Sequence, residues 1–480
     1  MGIWAPSLSY VNSTFYITSM AMEGNSSPLT YPRVFWVSSP DIMAWSAPTW
    51  GEPFGIDPHL FSDPVSGKDY LTLMSLNNDY DRLWGIGQCE VDLQTGKCLG
   101  PFRNIWNGTL DVTTSTRPEG PKIFYKEPHY YLLIAEGGTG ITHRASIARS
   151  DKPIGPWTAS PSNPLIFNGA NTNLTIGATG HATMADTPDG RWFATLLAYR
   201  YIGTNRWAIG RETFFSPVTW EDGWPTMNEG EKLLLSQRFD YGPDQERPPP
   251  PHEDHFEEDV LDISWYQLRS PYTQNYRMRS ASAEESFSFV ANSTSGLVLL
   301  PNAYTLSDRD TPAAVLRKQK SLNMTFTATL LPIVEGLGPY QSVGVTAYVS
   351  ELNHHDIGVR GCANSTGLCV FVDSTVGSAG PGTRPVTIES ALNVSSIPTG
   401  LDLVISPNLL TYSLGYSNGN GAVLWLKSFP STNLPPGFDG AMFGLFASGN
   451  GFPWPFDAPE VGFSKIREEY YADDLPDYIQ

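Results

Sequence analysis

Apolar and polar residues alternate with a period of two in short bursts along most of this chain, and Gly, Pro, Asn and Asp break the bursts apart. That is the pattern of β-strands joined by tight turns; few stretches carry the 3.6-residue period of a helix. Over the first half the bursts recur as four copies of one unit. The copies open IWAPSLSYVNSTFYITSM, GIDPHLFSDPVSGKDYLTL, PEGPKIFYKEPHYYLLIAEGG and TGHATMADTPDGRWFATLLAY. Each continues into a third strand, and in most a fourth, aromatic-ended segment follows.

Aligned on these openings, the head positions are Trp4, Asp57, Glu119 and His181, separated by 53, 62 and 62 residues. A period of this kind built from about four strands predicts the blades of a β-propeller. The first strand of each blade lines the central axis of a propeller, so the four heads are expected to converge at one end of the channel. The copies end near Trp224. Residues 237–258, QRFDYGPDQERPPPPHEDHFEE, hold four consecutive prolines flanked by charges, which predicts an extended, solvated linker. Residues 259–480 are again short-stranded but without the period, which predicts an antiparallel β-sandwich of about 220 residues. The acidic tail EEYYADDLPDYIQ is expected to be ordered only in part. The expected fold is thus all-β, a propeller domain over 1–236 followed by a sandwich domain over 259–480.

Composition narrows the function classes. A net charge of −19 disfavours nucleic acid and anionic membranes as partners, and no apolar run reaches membrane-spanning length. The four cysteines fall in two local pairs, Cys89/Cys98 and Cys362/Cys369, without the CxxC spacing of a zinc site. Local disulfides in an oxidising compartment are the favoured reading over buried thiols. Asn12, Asn25, Asn107, Asn173, Asn292, Asn323, Asn364 and Asn393 each begin an Asn-X-Ser/Thr triplet, which with the paired cysteines suggests a secreted glycoprotein. Met1 is followed at once by GIWAPSLSY, which has neither the basic nor the apolar region of a signal peptide.

Glu119 and Asp57, at the heads of neighbouring copies, form the strongest constellation. Glycoside hydrolysis needs an acid to protonate the leaving oxygen and a base or nucleophile across the sugar. Glu119 lies between Pro118 and Gly120-Pro121, ahead of an apolar strand. Partial desolvation and a nearby carboxylate both favour its protonated form, with Asp57 as the tuner. Asp57 and Glu119 could instead be a turn cap and a solvated loop carboxylate. His181 could ligate a metal, hydrogen-bond a carboxylate or simply pack. Arg211 could bind a sugar hydroxyl or keep a carboxylate ionised, against an ordinary ion pair with Glu212. Trp4 offers an aromatic face to a pyranose ring, or is blade core. The role of His143 is open.

GIWAPSL, GIDPHLF, PEGPKIF with YYLLIAEGGT, IARSDKPIGPW, TGHATM and GRETFFSPVTW, in chain order, resemble glycoside hydrolase family 43. WYQLRSP and FGLFASGNG resemble the concanavalin A-like β-sandwich appended to its β-xylosidase-type members. The resemblance covers roughly residues 1–235 and 259–470 and implies a five-bladed propeller. It implies inverting hydrolysis of β-xylosides or α-L-arabinofuranosides, with xylo-oligosaccharide or arabinoxylan as substrate and no required cofactor. By it, Glu119 matches the general acid and Asp57 the pKa modulator. His181 matches the axial histidine associated with a water-ligated calcium ion, Arg211 a substrate-contacting arginine and Trp4 a sugar-pocket aromatic. The family's base is an Asp of a first blade upstream of GIWAP, and this chain opens at GIWAP with four copies. The expectation is a truncated chain that has lost that blade, the base and a signal peptide together. The alternative is a carbohydrate-binding propeller protein without turnover. An invertase-like enzyme fits less well, since EGP and GIDP stand where Glu-Cys and Arg-Asp-Pro would be needed.

Overall fold

The computed structural model describes residues 2–478 other than 24–30, 78–82, 112–117, 170–172, 203–204, 207–208, 240–247, 270–274, 280–294, 334–335, 363–366, 378–385, 393, 395, 398–399, 420 and 474. Among the described residues all regular structure is β-strand apart from two single 3-10 turns. No helix among them is long and apolar enough to cross a membrane. The chain divides into two compact units, residues 1–204, 212–241 and 476–480 in the first and residues 205–211 and 242–475 in the second.

The first unit carries four sheets, each built on a run of four antiparallel strands in chain order. The first sheet is β1 (Gly2–Val11), β2 (Thr14–Glu23), β3 (Tyr31–Ser39) and β4 (Thr49–Phe54). The second is β5 (Ile56–Ser62), β6 (Asp69–Asn77), β7 (Leu83–Glu90) and β8 (Arg103–Trp106). The third is β9 (Glu119–Lys126), β10 (His129–Glu136), β11 (Arg144–Ser150) and β12 (Thr158–Ala159). The fourth is β13 (Ile176–Asp186), β14 (Trp192–Ile202), β15 (Glu212–Glu221) and β16 (Trp224–Met227). The first strands stand in series: β1 packs on β5, β5 on β9 and β9 on β13. This is the propeller arrangement expected from the four copies.

Period-two geometry explains why YYLLIA loses the alternation seen elsewhere. Successive side chains of β10 point to opposite faces of its sheet. Tyr130, Leu132 and Ile134 pack with Phe61, Tyr70, Met74 and Ile86 of the second sheet. Tyr131 and Leu133 pack with Ile176, Ala182, Met184 and Leu196 of the fourth. A strand buried on both faces has no polar side to display, so it reads as a continuous apolar run. Val34, Trp36, Leu60, Leu71 and Leu73 form the corresponding core between the first and second sheets.

The second unit is a pair of antiparallel sheets. One runs in the order Tyr276–Arg279, Gly296–Leu299, Val461–Tyr470, Met324–Leu330, Asp402–Pro407, Thr411–Ser417, Leu424–Pro430. The other runs Tyr266–Gln267, Ala313–Lys318, Met442–Ser448, Ser342–Ser350, Asn353–Gly361, Leu368–Val376, Val386–Ala391. Both contribute to one core, where Phe326 of the first stacks on Phe443 of the second at 5.0 Å. This is the expected sandwich.

The expected boundaries shift in three places. His252–Asp254, placed in a solvated linker, is a strand hydrogen-bonded beside Val461–Tyr470; backbone pairing to a sheet edge outweighs the extended, solvated bias of the neighbouring prolines. Of that linker, 240–247 lies outside the described residues. The end of the tail, from Pro476, clusters with the first unit and not with the sandwich: Thr175 N donates to Asp477 O at 2.9 Å, and Ser236 N to Asp477 Oδ1 at 2.9 Å. Residues 205–211 cluster with the second unit instead of the first.

Both cysteine pairs are disulfides, Cys89–Cys98 and Cys362–Cys369. Of the glycosylation triplets, Asn12 and Asn173 are exposed, and Asn107 and Asn323 are half-buried. Asn25, Asn292, Asn364 and Asn393 lie outside the described residues.

Candidate active site

The heads of the four first strands share one backbone device. In β1 the pairing with β2 runs Trp4↔Met20 and then Ser7↔Thr18, so one extra residue is inserted after Trp4. The same insertion follows Ile56 in β5, Glu119 in β9 and Gly180 in β13. Such a β-bulge bends the strand and re-aims its side chains. The residue after each of these positions is left-handed: Ala5 at φ 38°, Asp57 at 54°, Gly120 at 59° and His181 at 48°. Residues other than Gly hold that conformation at a cost, and such strain gathers at functional sites.

The bulges correct the alignment of the heads by one residue. Trp4 and Glu119 precede the left-handed position, whereas Asp57 and His181 occupy it. The four are not geometrically equivalent, because the chain inserts its extra residue by cross-strand pairing and not by residue type. The offset sets Asp57 level with Gly120, the residue after Glu119. Asp57 Oδ2 accepts a hydrogen bond from the Gly120 N–H at 2.9 Å, so the carboxylate of the second sheet holds the residue adjoining the carboxylate of the third. Asp57 is 5 % and Glu119 9 % exposed, which removes the solvated-loop reading of Glu119. On the other side of the same glycine, a Cβ added to Gly120 would lie 2.7 Å from His181 Nε2. The imidazole therefore seats directly on the Gly120 backbone, and only glycine leaves room for it at this φ.

One layer further along the strands lie residues that sequence reasoning missed. Ser7, His59 and Lys122 each follow their bulge, at equivalent positions of β1, β5 and β9. All three are buried. His59 Nε2 lies 3.0 Å from Ile123 O, which can only accept, so Nε2 carries the proton. His59 Nδ1 then accepts from the Ser7 hydroxyl at 3.0 Å. Burial, reinforced by the positive charge of Lys122, pushes the imidazole down from 6.5 to about 3, so it is neutral at ordinary pH. Burial likewise pushes the Lys122 ammonium down to about 8, opposed by the negative charge of Asp57. The signal was present in the repeat alignment, three residues past Trp4, Ile56 and Glu119, but a buried His and Lys look like ordinary strand residues until the bulge turns them inward.

The remaining candidates fall in different places. Trp4 is 44 % exposed and so is not blade core. Arg211 lies in the segment that clusters with the second unit, its guanidinium 4.3 Å from the centre of the Phe438 ring. Its expected alternative partner, Glu212, is gripped by Arg200 through two hydrogen bonds of 2.7 and 3.0 Å. His143 is buried behind β13, where a Cβ on Gly180 would lie 2.3 Å from its ring, and its Nδ1 is 2.5 Å from Gly138 O. Glu136 is as buried as the site carboxylates but is committed elsewhere, accepting from Ser146 Oγ at 2.6 Å, from Thr109 N at 2.9 Å and from the Thr109 hydroxyl. Calcium takes six to eight oxygen ligands. Among the described residues no group of three or more His, Cys, Asp or Glu converges.

Comparison with known proteins agrees with this geometry. Residues 1–225 match Glycosyl hydrolases family 43, and residues 253–453 match the Beta xylosidase C-terminal Concanavalin A-like domain. A non-reducing end alpha-L-arabinofuranosidase of Bacteroides ovatus is 28 % identical over 461 residues, covering 94 % of this chain and 79 % of that protein. A xylosidase/arabinosidase of Butyrivibrio fibrisolvens is 37 % identical over 251 residues, 49 % of this chain and 45 % of that protein. The crystal structure of a xylan beta-1,4-xylosidase from Bacillus halodurans superposes with a TM-score of 0.81 at 25 % identity, covering 98 % of this chain and 86 % of that one. With bulged blade heads that pair Asp57 to the neighbour of Glu119, and with both of its units matched, the chain belongs to glycosyl hydrolases family 43, in the form that carries the concanavalin A-like C-terminal domain.

Proposed function

We propose that the chain acts on β-xylosidic or α-L-arabinofuranosidic bonds of hemicellulose by an inverting acid/base mechanism. Glu119 protonates the departing glycosidic oxygen. Asp57 stays ionised, tunes Glu119 and fixes the backbone beside it. Trp4 and His181 contribute to the sugar pocket. The observation that supports this reading most is the Asp57–Gly120 hydrogen bond, which ties two buried carboxylates of neighbouring sheets into one unit. The paired cysteines and the exposed Asn12 and Asn173 triplets support export as a glycoprotein.

A second reading rests on a specific observation. Inversion needs a base about 6.5–9.5 Å from the acid, with room for water between. Among the described residues of the first unit the other buried carboxylates are Asp63 and Glu136. Asp63 accepts from Tyr130 and from its own turn, and Glu136 from Thr109 and Ser146. No base is identified among them, so the chain would bind the sugar with little or no turnover.

Both readings are tested together. Release of p-nitrophenol from the β-D-xyloside and the α-L-arabinofuranoside is measured for the wild type and Glu119→Gln, with the first-formed anomer followed by NMR and xylotriose binding by calorimetry. Turnover with inversion, lowered by about 10²–10⁴ in the variant, supports the enzyme. Retention of configuration would sink the mechanism. Binding without turnover supports the second reading, and neither binding nor turnover removes both.

A further inference from the structure

Lys122 is out of place energetically. It lies in the innermost strand of its sheet, 8 % exposed. Among the described residues its ammonium donates one long hydrogen bond, 3.3 Å to Pro121 O, and makes no ion pair within 4.0 Å. A buried ammonium with so little local compensation is costly unless charge nearby offsets it. The titratable groups whose charge acts on or responds to Lys122 are Asp57 and His59 from β5; Glu119 lies three residues earlier on its own strand, and His181 from β13 rests on Gly120. His59 is neutral and its one ring proton is committed to Ile123 O, so it offers no negative charge. Asp57 does, and its carboxylate already grips the Gly120 N–H two residues before Lys122.

We propose that Lys122 is a positioning residue of the site: its buried ammonium is a counter-charge that keeps Asp57 ionised, and through the Asp57–Gly120 hydrogen bond it holds the bulge that aims Glu119. A lysine whose proton affinity burial has lowered and Asp57 has partly restored is what this coupling leaves behind. The attraction acts through space between two buried groups, where it is screened less than at the surface. The part of this inference that concerns Glu119 rests on the hydrolase reading; the charge coupling does not.

The test is a double-mutant cycle on the full chain. Melting temperatures at pH 7 are measured for the wild type, Lys122→Met, Asp57→Asn and the double variant. If the two charges are coupled, Lys122→Met is clearly more harmful in the wild type than in the Asp57→Asn background, so the double variant loses much less than the two single losses together. If Lys122 is only a misplaced buried cation, Lys122→Met has the same effect in both backgrounds, and that additivity overturns the proposal. In an active wild type, Lys122→Met lowers kcat about tenfold or more with KM little changed, and Lys122→Arg recovers part of the loss. An unchanged kcat, or equal losses in the Arg and Met variants, overturns the positioning role. An inactive wild type counts against the hydrolase reading alone, because the stability cycle still decides the coupling.

Discussion

His59 makes the first unit sensitive to acid in a way that can be worked from its contacts. The ring is held neutral, donating to Ile123 O and accepting from Ser7, with its affinity for a second proton lowered from 6.5 to about 3. The unfolded chain therefore binds a proton between these limits that the folded chain refuses. Stability from this group is full above pH 6.5 and is lost as pH falls towards 3. At pH 5 an unfolded imidazole is favoured by protonation about thirty-fold, whereas the folded one is almost untouched, so folding loses about 2 kcal/mol relative to pH 8. His59→Gln is the informative perturbation. The amide can still donate to Ile123 O and accept from Ser7, but it does not titrate. Urea unfolding at pH 8 and pH 5, read by peptide-resolved hydrogen exchange over β5 and β6, follows the first unit alone. The wild type should lose about 2 kcal/mol more between the two conditions than His59→Gln does, since all other titrating groups are common to both. Equal losses would refute the reasoning. His355 is the internal comparison in the second unit. It is buried, bonded to Ser374 Oγ at 2.9 Å and lowered by burial to about 4, and its substitution should relieve acid sensitivity only over 353–361.

Other substitutions probe the site and the scaffold. Gly120→Ala forces a Cβ at φ 59° against the His181 ring and should cost about 1–2 kcal/mol from backbone strain alone, measured by thermal denaturation; an unchanged midpoint would show that the bulge relaxes freely. In the second unit Arg317 and Glu468 form a buried bidentate pair, with both contacts at 3.2 Å, and Tyr470 donates to the same carboxylate at 2.7 Å. Arg317→Met should cost about 3–5 kcal/mol in urea, and Arg317→Met with Glu468→Leu should recover most of it. Removing the Cys89–Cys98 bridge as a double serine variant should cost about 2–3 kcal/mol, because it frees a short loop in the unfolded chain; equal stability of the two forms in non-reducing urea would contradict this.

Much of this protein is local and therefore legible in one dimension. Alternation along a strand records which faces are buried, so the all-β class, the four copies and the break near Trp224 follow from residue order alone. The cysteine pairs lie close enough in sequence to announce their bridges. Glu119 and Asp57 stand out because carboxylates at the mouths of apolar strands are poor choices for stability, and both are buried at neighbouring blade heads. What residue order did not determine is register. The inserted residues of the first strands shift Asp57 and His181 out of step with Trp4 and Glu119, and an insertion is defined only against the partner strand. That same shift sets Asp57 on the Gly120 N–H, His181 on the Gly120 backbone, and His59 and Lys122 into the layer beneath. Glu136 and Glu119 are alike in sequence, each at the end of a strand, and only tertiary hydrogen bonds commit the first to Thr109 and Ser146. The placement of 205–211, of His252–Asp254 and of the last residues is likewise a matter of long-range pairing. Residue order determined the strands and the candidate acid; the pairing between strands, which depends on contacts far apart in the chain, decided what surrounds that acid.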